Sequence, residues 1–313
     1  MRLAQIEVED ETPVLSIAAA LKAEQTVLPD YEFRRGSPEQ IIERSERMLE
    51  TRLVMGGQEH FYLEGQVAFA FPGEDGDMLV QSSTQHPTEV QHTVAKVLGL
   101  DDGAVTVEVR RMGGAFGGKE AQANQWAALA ALAAYATGRP CKCRLDRDDD
   151  MILTGKRHDF MVDLAAGYDG SGKIEAAQIE LNSRCGCSAD LSLGINDRAM
   201  FHSDNSYYYP QVLIRSKRLK TNTVSNTAFR GFGGPQGMLS CERLMDGIAI
   251  RLGWTHWTCA RRIFIAKVPI PRPMVSRWMS MMFWRSWLTN WNTVLITGRA
   301  VKRLRHLTLK IQY

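Results

Sequence analysis

Acidic residues are missing from the last sixty positions of this 313-residue sequence. From Trp254 to Tyr313 there are 11 lysines and arginines, no aspartate or glutamate, and six of the seven tryptophans. The first 253 residues instead carry 27 basic and 35 acidic residues. An acidic body argues against a nucleic-acid partner, so the basic end needs its own explanation.

Signals for membrane insertion, secretion and metal clusters are also missing. The long apolar helical stretch around Trp126 is mostly alanine, which is typical of a core helix rather than a membrane span. The charged segment Met1 to Asp10 lacks the apolar region of a signal peptide. The six cysteines form neither a Cys-x2-Cys zinc pattern nor an iron–sulfur run. We therefore expect the cysteines to be free thiols and the protein to lie in the reducing cytoplasm.

A glycine-rich stretch, GGAFGGKE at Gly113 to Glu120, has the most informative surroundings. Ala104 to Arg110 alternates like a strand before it, and Ala121 to Thr137 predicts a helix after it. That helix would pack on the face that carries Trp126, Leu129, Ala133 and Ala136. The start of a helix has unpaired N–H groups and the positive end of the helix dipole, which favour binding of an anion or a cofactor. A glycine-rich turn that only lets the chain change direction explains one such loop equally well.

Two nucleotide cradles can be excluded for this stretch. A P-loop needs Ser or Thr after Gly118-Lys119, and Glu120 stands there instead. The Gly-x-Gly-x-x-Gly dinucleotide fingerprint fits no starting position within the stretch. A second loop, Phe229 to Gly234 (FRGFGG), also opens a predicted helix, which starts near Pro235 and ends at Gly253. Two such loops could bind two parts of one extended cofactor.

Several motifs occur together in one order along the chain. They are GQEHFYLE from Gly57, STQ at Ser83 to Gln85, RMGGAFGGKE, LDRDDDMILTGKRH from Leu145, DRAMFHSDN from Asp197, and SNTAFRGFGGPQG. In this order they resemble the molybdenum hydroxylases of the xanthine dehydrogenase family. The resemblance implies an α+β fold, with a remnant of a small α/β domain at 1–30, the first half of a molybdenum cofactor-binding domain at 31–253, and a tail unrelated to the family at 254–313.

The resemblance also implies roles for individual residues. Gln85, Gly114, Phe116, Gly117 and Arg230 are expected to bind the cofactor. Among these, Gln85, Phe116 and Arg230 would lie near the molybdenum, without all being direct ligands. Glu120, Arg198 and Phe232 would contact the substrate, with Glu120 and Arg198 as the catalytic residues.

Each of these residues has a plainer explanation when it is taken alone. Glu120 could complement a helix dipole, Arg198 could be a surface residue, and Gln85 could be a surface amide. His60 is expected to be a packed core residue rather than a ligand. The charge run Arg144 to Asp150 is expected to be a solvated turn.

The local patterns also predict individual elements. Ser37 to Met48 should be a helix and Thr51 to Phe71 a strand. Met78 to Ser83 should be a strand, and Thr88 to Leu98 a helix that Gly99 ends. Two strands, Asp159 to Ala165 and Lys173 to Ser183, should form a hairpin. Val212 to Ser216 and Leu219 to Val224 should be two further strands.

The activity that the resemblance implies is the hydroxylation of purines. A molybdenum–molybdopterin cofactor would act with water and NAD to convert hypoxanthine to xanthine and xanthine to urate. FAD and 2Fe-2S clusters would sit on an FAD-binding subunit and an iron–sulfur subunit. An acid at Glu120 favours a purine, and an aldehyde oxidase-type enzyme is the alternative. We expect no nucleic-acid partner, and no membrane partner unless the basic tail is genuine.

Two motifs of the family are missing from this sequence, a second Gly-Gln-Gly cofactor loop and the Gly-Glu-Pro segment that carries the general base. We therefore expect a chain truncated at Gly253 by a change of reading frame, without turnover of its own. The alternatives for the tail are a membrane-surface segment and an arm that binds nucleic acid or a partner. An inactive remnant or a scaffold is the alternative for the whole chain.

Overall fold

The computed structural model describes residues 9–263. Its strands are β1 Thr26–Arg35, β2 Arg47–Met55, β3 Val67–Pro72, β4 Met78–Ser82, β5 Val105–Glu108, β6 Cys141–Arg144, β7 Phe160–Tyr168, β8 Ile174–Gly186 and β9 Gln211–Lys220. Its helices are α1 Ile17–Lys22, α2 Pro38–Arg44, α3 Pro87–Leu98, α4 Ala123–Thr137, α5 Arg147–Leu153, α6 Ser192–Phe201, α7 Gly234–Arg251 and α8 His256–Ile263. The mixture agrees with the predicted α+β class.

The larger sheet has five strands in the order β1-β9-β8-β7-β2. Only β8 and β9 run parallel within it, and α6 lies on the connection between them. Helices α6, α7 and α8 pack together, and α7 covers β2 and β7. The core between α7 and the sheet is mainly apolar, with Phe160, Ile179, Leu244, Met245 and Ile248 all buried. This layer fixes where α6 and α7 begin.

The smaller sheet has four strands in the order β5-β4-β3-β6, and only β4 and β5 run parallel. Helices α3 and α4 pack against it. Alanines of α4 meet alanines of β3, and their small side chains allow the helix to approach the sheet closely. The first glycine loop runs from the end of β5 to the start of α4, so this sheet fixes its two ends.

The buried face of α4 is not the predicted one. Ala127, Ala130, Ala131 and Ala134 are buried against the sheet, whereas Leu129 is 52% exposed. An alanine-rich helix is weakly amphipathic, so its periodicity does not identify the packed face. Only Trp126 of the predicted face is buried.

Two predicted strand patterns were also wrong. Thr51 to Phe71 is not one strand, because residues 56–66 form a long connection between β2 and β3. The two strands predicted over Val212 to Val224 form one strand, β9, which ends at Lys220. In the first case the alternation of side chains continues beyond the point where strand pairing stops. In the second case strand pairing continues where the alternation is interrupted.

The chain beyond Gly253 begins with a described segment. Trp254 packs against the larger core, and Cys259 and Ala260 of α8 are buried in it. The remainder of the predicted tail, 264–313, lies outside the described residues, as do residues 1–8 of the predicted small-domain remnant. The domain boundary at Gly253 therefore stays a prediction. Among residues 9–263, no helix has the length and apolar character that crossing a bilayer requires.

Candidate functional site

The two glycine loops touch each other. The backbone N–H of Arg230 in the second loop donates to the carbonyl of Phe116 in the first, at 2.9 Å. Gly117 has a φ of +102°, and a Cβ atom there would lie 2.6 Å from the carbonyl oxygen of Ala228. Glycine is therefore required at this position for both its backbone conformation and its contact.

Gln85 is attached to the first loop through both its backbone and its side chain. Its backbone N–H donates to the carbonyl of Lys119 at 2.9 Å. Its Oε1 accepts a hydrogen bond from the N–H of Gly117, also at 2.9 Å. The orientation of the amide is thereby set, and Nε2 has no protein partner among residues 9–263. The side chain presents an exposed, oriented N–H donor next to the loop contact.

A buried lysine that sequence reasoning did not select supports the same loop. Lys119 is fully buried, and its Nζ donates to Glu64 and Ser83 at 2.9 Å each. The Glu64 carboxylate also accepts from the N–H of Gly113. Burial alone would raise the pKa of Glu64, but the donors from Gly113, Ser83 and Lys119 outweigh it and lower the pKa. This cluster joins the start of the glycine loop to the segment before Gln85.

The prediction of a solvated turn at Arg144 to Asp150 is wrong. The segment forms the end of β6 and the start of α5, and Asp146 caps that helix through the N–H of Asp149. Asp150 itself is 2% exposed. It accepts hydrogen bonds from the Tyr62 hydroxyl at 2.7 Å and from the N–H of Gln66 at 2.8 Å. The last carboxylate of the charge run is therefore an internal acceptor.

Aromatic packing supports the second loop. The ring of His60 stacks on Phe229 at 4.7 Å, and its Nε2 lies 2.6 Å from the carbonyl of Ala228. Arg157 covers the other side of the loop, with its guanidinium 3.8 Å from the Phe229 ring centroid and a hydrogen bond to the carbonyl of Arg230. Burial lowers the pKa of His60. The prediction of a packed His60 is confirmed.

Glu120 follows the first loop and remains without a neutralising partner. Its side chain is half-buried and makes no hydrogen bond or ion pair with residues 9–263. Burial raises the pKa of Glu120, the charges of Glu89 and Asp190 raise it further, and the nearby His86 opposes them. A carboxyl group with a raised pKa is held closer to its neutral form, in which it can donate as well as accept a hydrogen bond.

Helix α6 carries Arg198 and is the surface on which Phe232 rests. A Cβ atom on Gly194 would lie 3.0 Å from Cε1 of Phe232, so the ring rests on α6 at that glycine. Arg198 lies one turn further along α6, and its side chain is near the start of α7 at Gly234. Phe232 has a φ of +49°, a conformation that is uncommon for a bulky residue. The fold thus places the Phe232 ring and the exposed Arg198 within one turn of each other along α6.

The predicted residues therefore fall into two groups in space. Gln85, Phe116, Gly117 and Arg230 are joined by hydrogen bonds, and Gly114 packs against Phe116 and Tyr62. Phe232 and Arg198 belong with α6. No contact joins Glu120 to Arg198 in the described part of the chain. The same part contains no cluster of three or more His, Cys, Asp or Glu side chains suited to a metal ion.

Comparison with known proteins identifies the fold that carries this site. The molybdopterin cofactor-binding domain family matches residues 21–264. The chain belongs to this family. It is 43% identical over 250 residues to xanthine dehydrogenase/oxidase from Gallus gallus and 42% identical over 250 residues to that from Mus musculus. These matches cover 80% of this chain but 18% and 19% of the two relatives, so it spans about a fifth of their length.

A solved structure agrees with this assignment at the level of fold. Reconstituted CO dehydrogenase from Oligotropha carboxidovorans superimposes with a TM-score of 0.79 and 18% identity, covering 98% of this chain and 42% of that one. The predicted resemblance to the xanthine dehydrogenase family of molybdenum hydroxylases, which are oxidoreductases, is confirmed. So is the α+β class with glycine-rich loops at helix starts.

Proposed function

We propose that this chain is part of a xanthine dehydrogenase-like purine hydroxylase, in which it holds one side of the molybdenum–molybdopterin cofactor and contacts the purine. The family match and the similarity to xanthine dehydrogenase/oxidase from two animals support this assignment. The observation that carries it is the contact between the two glycine loops, with the amide of Gln85 oriented beside it.

The residues at the loop contact fit such a cofactor. The Nε2 group of Gln85 is a neutral donor suited to an oxygen atom on the metal, because it adds no charge. Arg230 has an exposed side chain for an anionic group of the cofactor. Gly117 lets the two loops approach each other closely, and Gly114 packs against Phe116 and Tyr62 beside that contact. When bound, the cofactor supplies the two-electron redox chemistry of the hydroxylation.

Three residues, Glu120, Arg198 and Phe232, fit a purine. Glu120 can hydrogen-bond a ring nitrogen or exocyclic oxygen, and its raised pKa allows it to act as donor or acceptor. Arg198 can stabilise negative charge that develops on the ring during hydroxylation. The Phe232 ring can stack on a flat heterocycle. An aldehyde would need neither the Glu120 contact nor the Arg198 contact.

The remaining electron carriers would lie on other polypeptides. We assign FAD and 2Fe-2S clusters to an FAD-binding and an iron–sulfur partner subunit, with NAD as the final acceptor. In the 313 residues no cysteine run matches a cluster pattern. Electrons removed from the purine would leave through those partners.

The test is an assembly of this chain with both partner subunits and with the Gly-Glu-Pro general-base region of a family member. We expect urate from xanthine, with benzaldehyde oxidised far more slowly. The 313-residue chain without the added region is the control and should give no urate. Oxidation of benzaldehyde without xanthine would identify an aldehyde oxidase-type enzyme. Bound molybdenum with neither activity would indicate an inactive remnant or scaffold.

A further inference from the structure

Asp190 contacts three parts of the site at once, although no motif pointed to it. Its Oδ2 accepts from Nε2 of Gln122 at 2.8 Å, just after Glu120 and before α4. Its Oδ1 accepts from the Thr227 hydroxyl at 2.7 Å, three residues before Arg230. The same oxygen accepts from the N–H of Leu191 at 2.6 Å, at the start of α6.

The position has further signs of constraint. Asp190 has a φ of +42°, in the left-handed region that few non-glycine residues adopt. Burial raises the pKa of Asp190, while its three donors oppose that rise. The partners are themselves held in place. Gln122 accepts the N–H of Gly155 at 2.9 Å, and the N–H of Thr227 donates to Lys156. Backbone strain and burial of a charge both cost free energy, so such a residue is kept in place by the contacts around it.

We propose that Asp190 is a positioning residue that holds the first glycine loop, the second glycine loop and the start of α6 in one arrangement. The inference rests on the proposed function for the meaning of that arrangement, because these three elements carry Glu120, Arg230 and Arg198. Asp190 itself touches neither cofactor nor purine. It acts by accepting hydrogen bonds from Gln122 and Thr227, which are distant in sequence, and from the adjacent N–H of Leu191.

The three contacts need a group that only accepts hydrogen bonds. Both oxygens of the carboxylate face donors. In Asp190→Asn, Oδ1 can still accept from Thr227 and Leu191, and asparagine tolerates the left-handed backbone. The new Nδ2, however, would face Nε2 of Gln122, donor against donor. Changing Gln122→Glu as well would restore the pair, because a carboxylate at 122 accepts both from that Nδ2 and from the N–H of Gly155.

Amide hydrogen exchange of the full chain tests the proposal without cofactor or substrate. The amide of Arg230 reports the contact between the loops, and the amide of Gly117 reports the attachment of Gln85. The amide of Ile179 in β8 reports the core. In Asp190→Asn we expect exchange at Arg230 and Gly117 to rise about tenfold or more, as the loss of a charge-assisted hydrogen bond predicts, with Ile179 unchanged.

The double variant Asp190→Asn/Gln122→Glu should return both loop amides to within about twofold of the wild type, since the hydrogen bonds and the net charge are restored. Thr227→Val removes only one contact and gives a milder second test if the first variant folds poorly. The surface substitution Asp163→Asn controls for the loss of one carboxylate. Unchanged exchange at Arg230 and Gly117 in both Asp190→Asn and Thr227→Val would overturn the proposal. So would an equal rise at Ile179, or a failure of the double variant to restore protection. Absence of xanthine turnover would refute the proposed function and leave these exchange results standing.

Discussion

The two sides of the candidate site are built differently. On the cofactor side, Gln85, Gly117 and Arg230 are linked by hydrogen bonds, and the buried Lys119–Glu64 pair supports them from behind. On the purine side, Glu120 makes no hydrogen bond or ion pair with residues 9–263, and the exposed Arg198 makes no contact with it. On the cofactor side the protein links the elements to one another, whereas the purine side presents two charged residues that have no partner in the described chain.

This difference suggests a division of roles. A large cofactor that stays bound benefits from a preformed cradle, because the protein then loses little conformational freedom on binding. A substrate that comes and goes can itself supply the partners of Glu120 and Arg198. The raised pKa of Glu120 fits this view, since an unpaired carboxyl in a partly buried place favours its neutral form.

Substitutions of Glu120 and Arg198, on the purine side, should lower the rate of catalysis without lowering the stability of the fold. In the assembled enzyme, Glu120→Gln or Arg198→Met should lower kcat/KM for xanthine by about 10²- to 10⁴-fold, as loss of a charged transition-state contact does. The thermal midpoint should change little, because neither side chain is paired inside the protein. Steady-state kinetics and a melting curve measure both. Glu50→Gln on β2 is the matched control, and an equal effect there would refute the assignment.

A substitution at the contact between the loops, on the cofactor side, should first lower the stability of the fold. Gly117→Ala places a methyl group 2.6 Å from the carbonyl of Ala228 at a φ of +102°. It should lower the free energy of unfolding by about 3–5 kcal/mol, from strain plus overpacking. Gly138→Ala also has a positive φ, +66°, at the end of α4, but open space around the new methyl. That control should lose only about 1 kcal/mol. Equal losses in urea unfolding would show that the contact between the loops is unimportant.

The support of α6 should depend on pH. His158 lies with Nε2 2.7 Å from the hydroxyl of Ser192, the first residue of α6, and burial lowers its pKa to about 3. The unfolded chain binds a proton at this histidine below about pH 6.5, while the folded chain does not. The contribution is therefore complete above pH 6.5 and is lost progressively as the pH falls towards 3.

From pH 7 to pH 5 this one group should lower the free energy of unfolding by about 2 kcal/mol. Urea unfolding of the wild type and of His158→Gln at the two pH values isolates the contribution, because all other groups are shared. The pH-dependent loss should be smaller by that amount in the variant. Identical pH dependence in the two proteins would show that His158 is not held neutral.

The buried pair behind the first loop should have the smallest effect. Glu64→Gln leaves Lys119 with Ser83 and a neutral amide, at a cost of about 1–2 kcal/mol. The cost stays below that of a fully buried pair, because the Glu64 side chain is 37% exposed and water can replace part of it. Lys119→Met with and without Glu64→Gln completes a double-mutant cycle, measured by urea unfolding. A coupling energy of zero would mean that the pair does not support the loop.

The sequence was sufficient for elements whose signals are local. Strand β4, helix α3 with Gly99 in the left-handed conformation at its end, and the hairpin of β7 and β8 were all predicted close to their bounds. So was the start of α7 at the second glycine loop, where Pro235 occupies the first turn. Each of these depends on a turn residue or an alternation within a short window.

What the sequence could not show depends on contacts between distant segments. Asp150 reads as one more member of a charge run, and only the approach of Tyr62 and Gln66 turns it into a buried acceptor. Lys119 attracts attention as part of a failed P-loop, yet its partner Glu64 is 55 residues away. Asp190 has no local signal at all. The roles of Gln85, Glu120 and Arg198 came only from the family resemblance and remain predictions.

The molybdenum content of three assembled enzymes tests the central claim, that the contact between the two glycine loops holds the cofactor. The proteins are the wild type, Gly117→Ala and Gly138→Ala, each purified by the same route and measured for metal per chain. We expect about one molybdenum per chain in the wild type and in Gly138→Ala, and a large loss in Gly117→Ala, because only that substitution separates the loops. Full molybdenum content in a folded Gly117→Ala enzyme, or none in the wild type, would contradict the account.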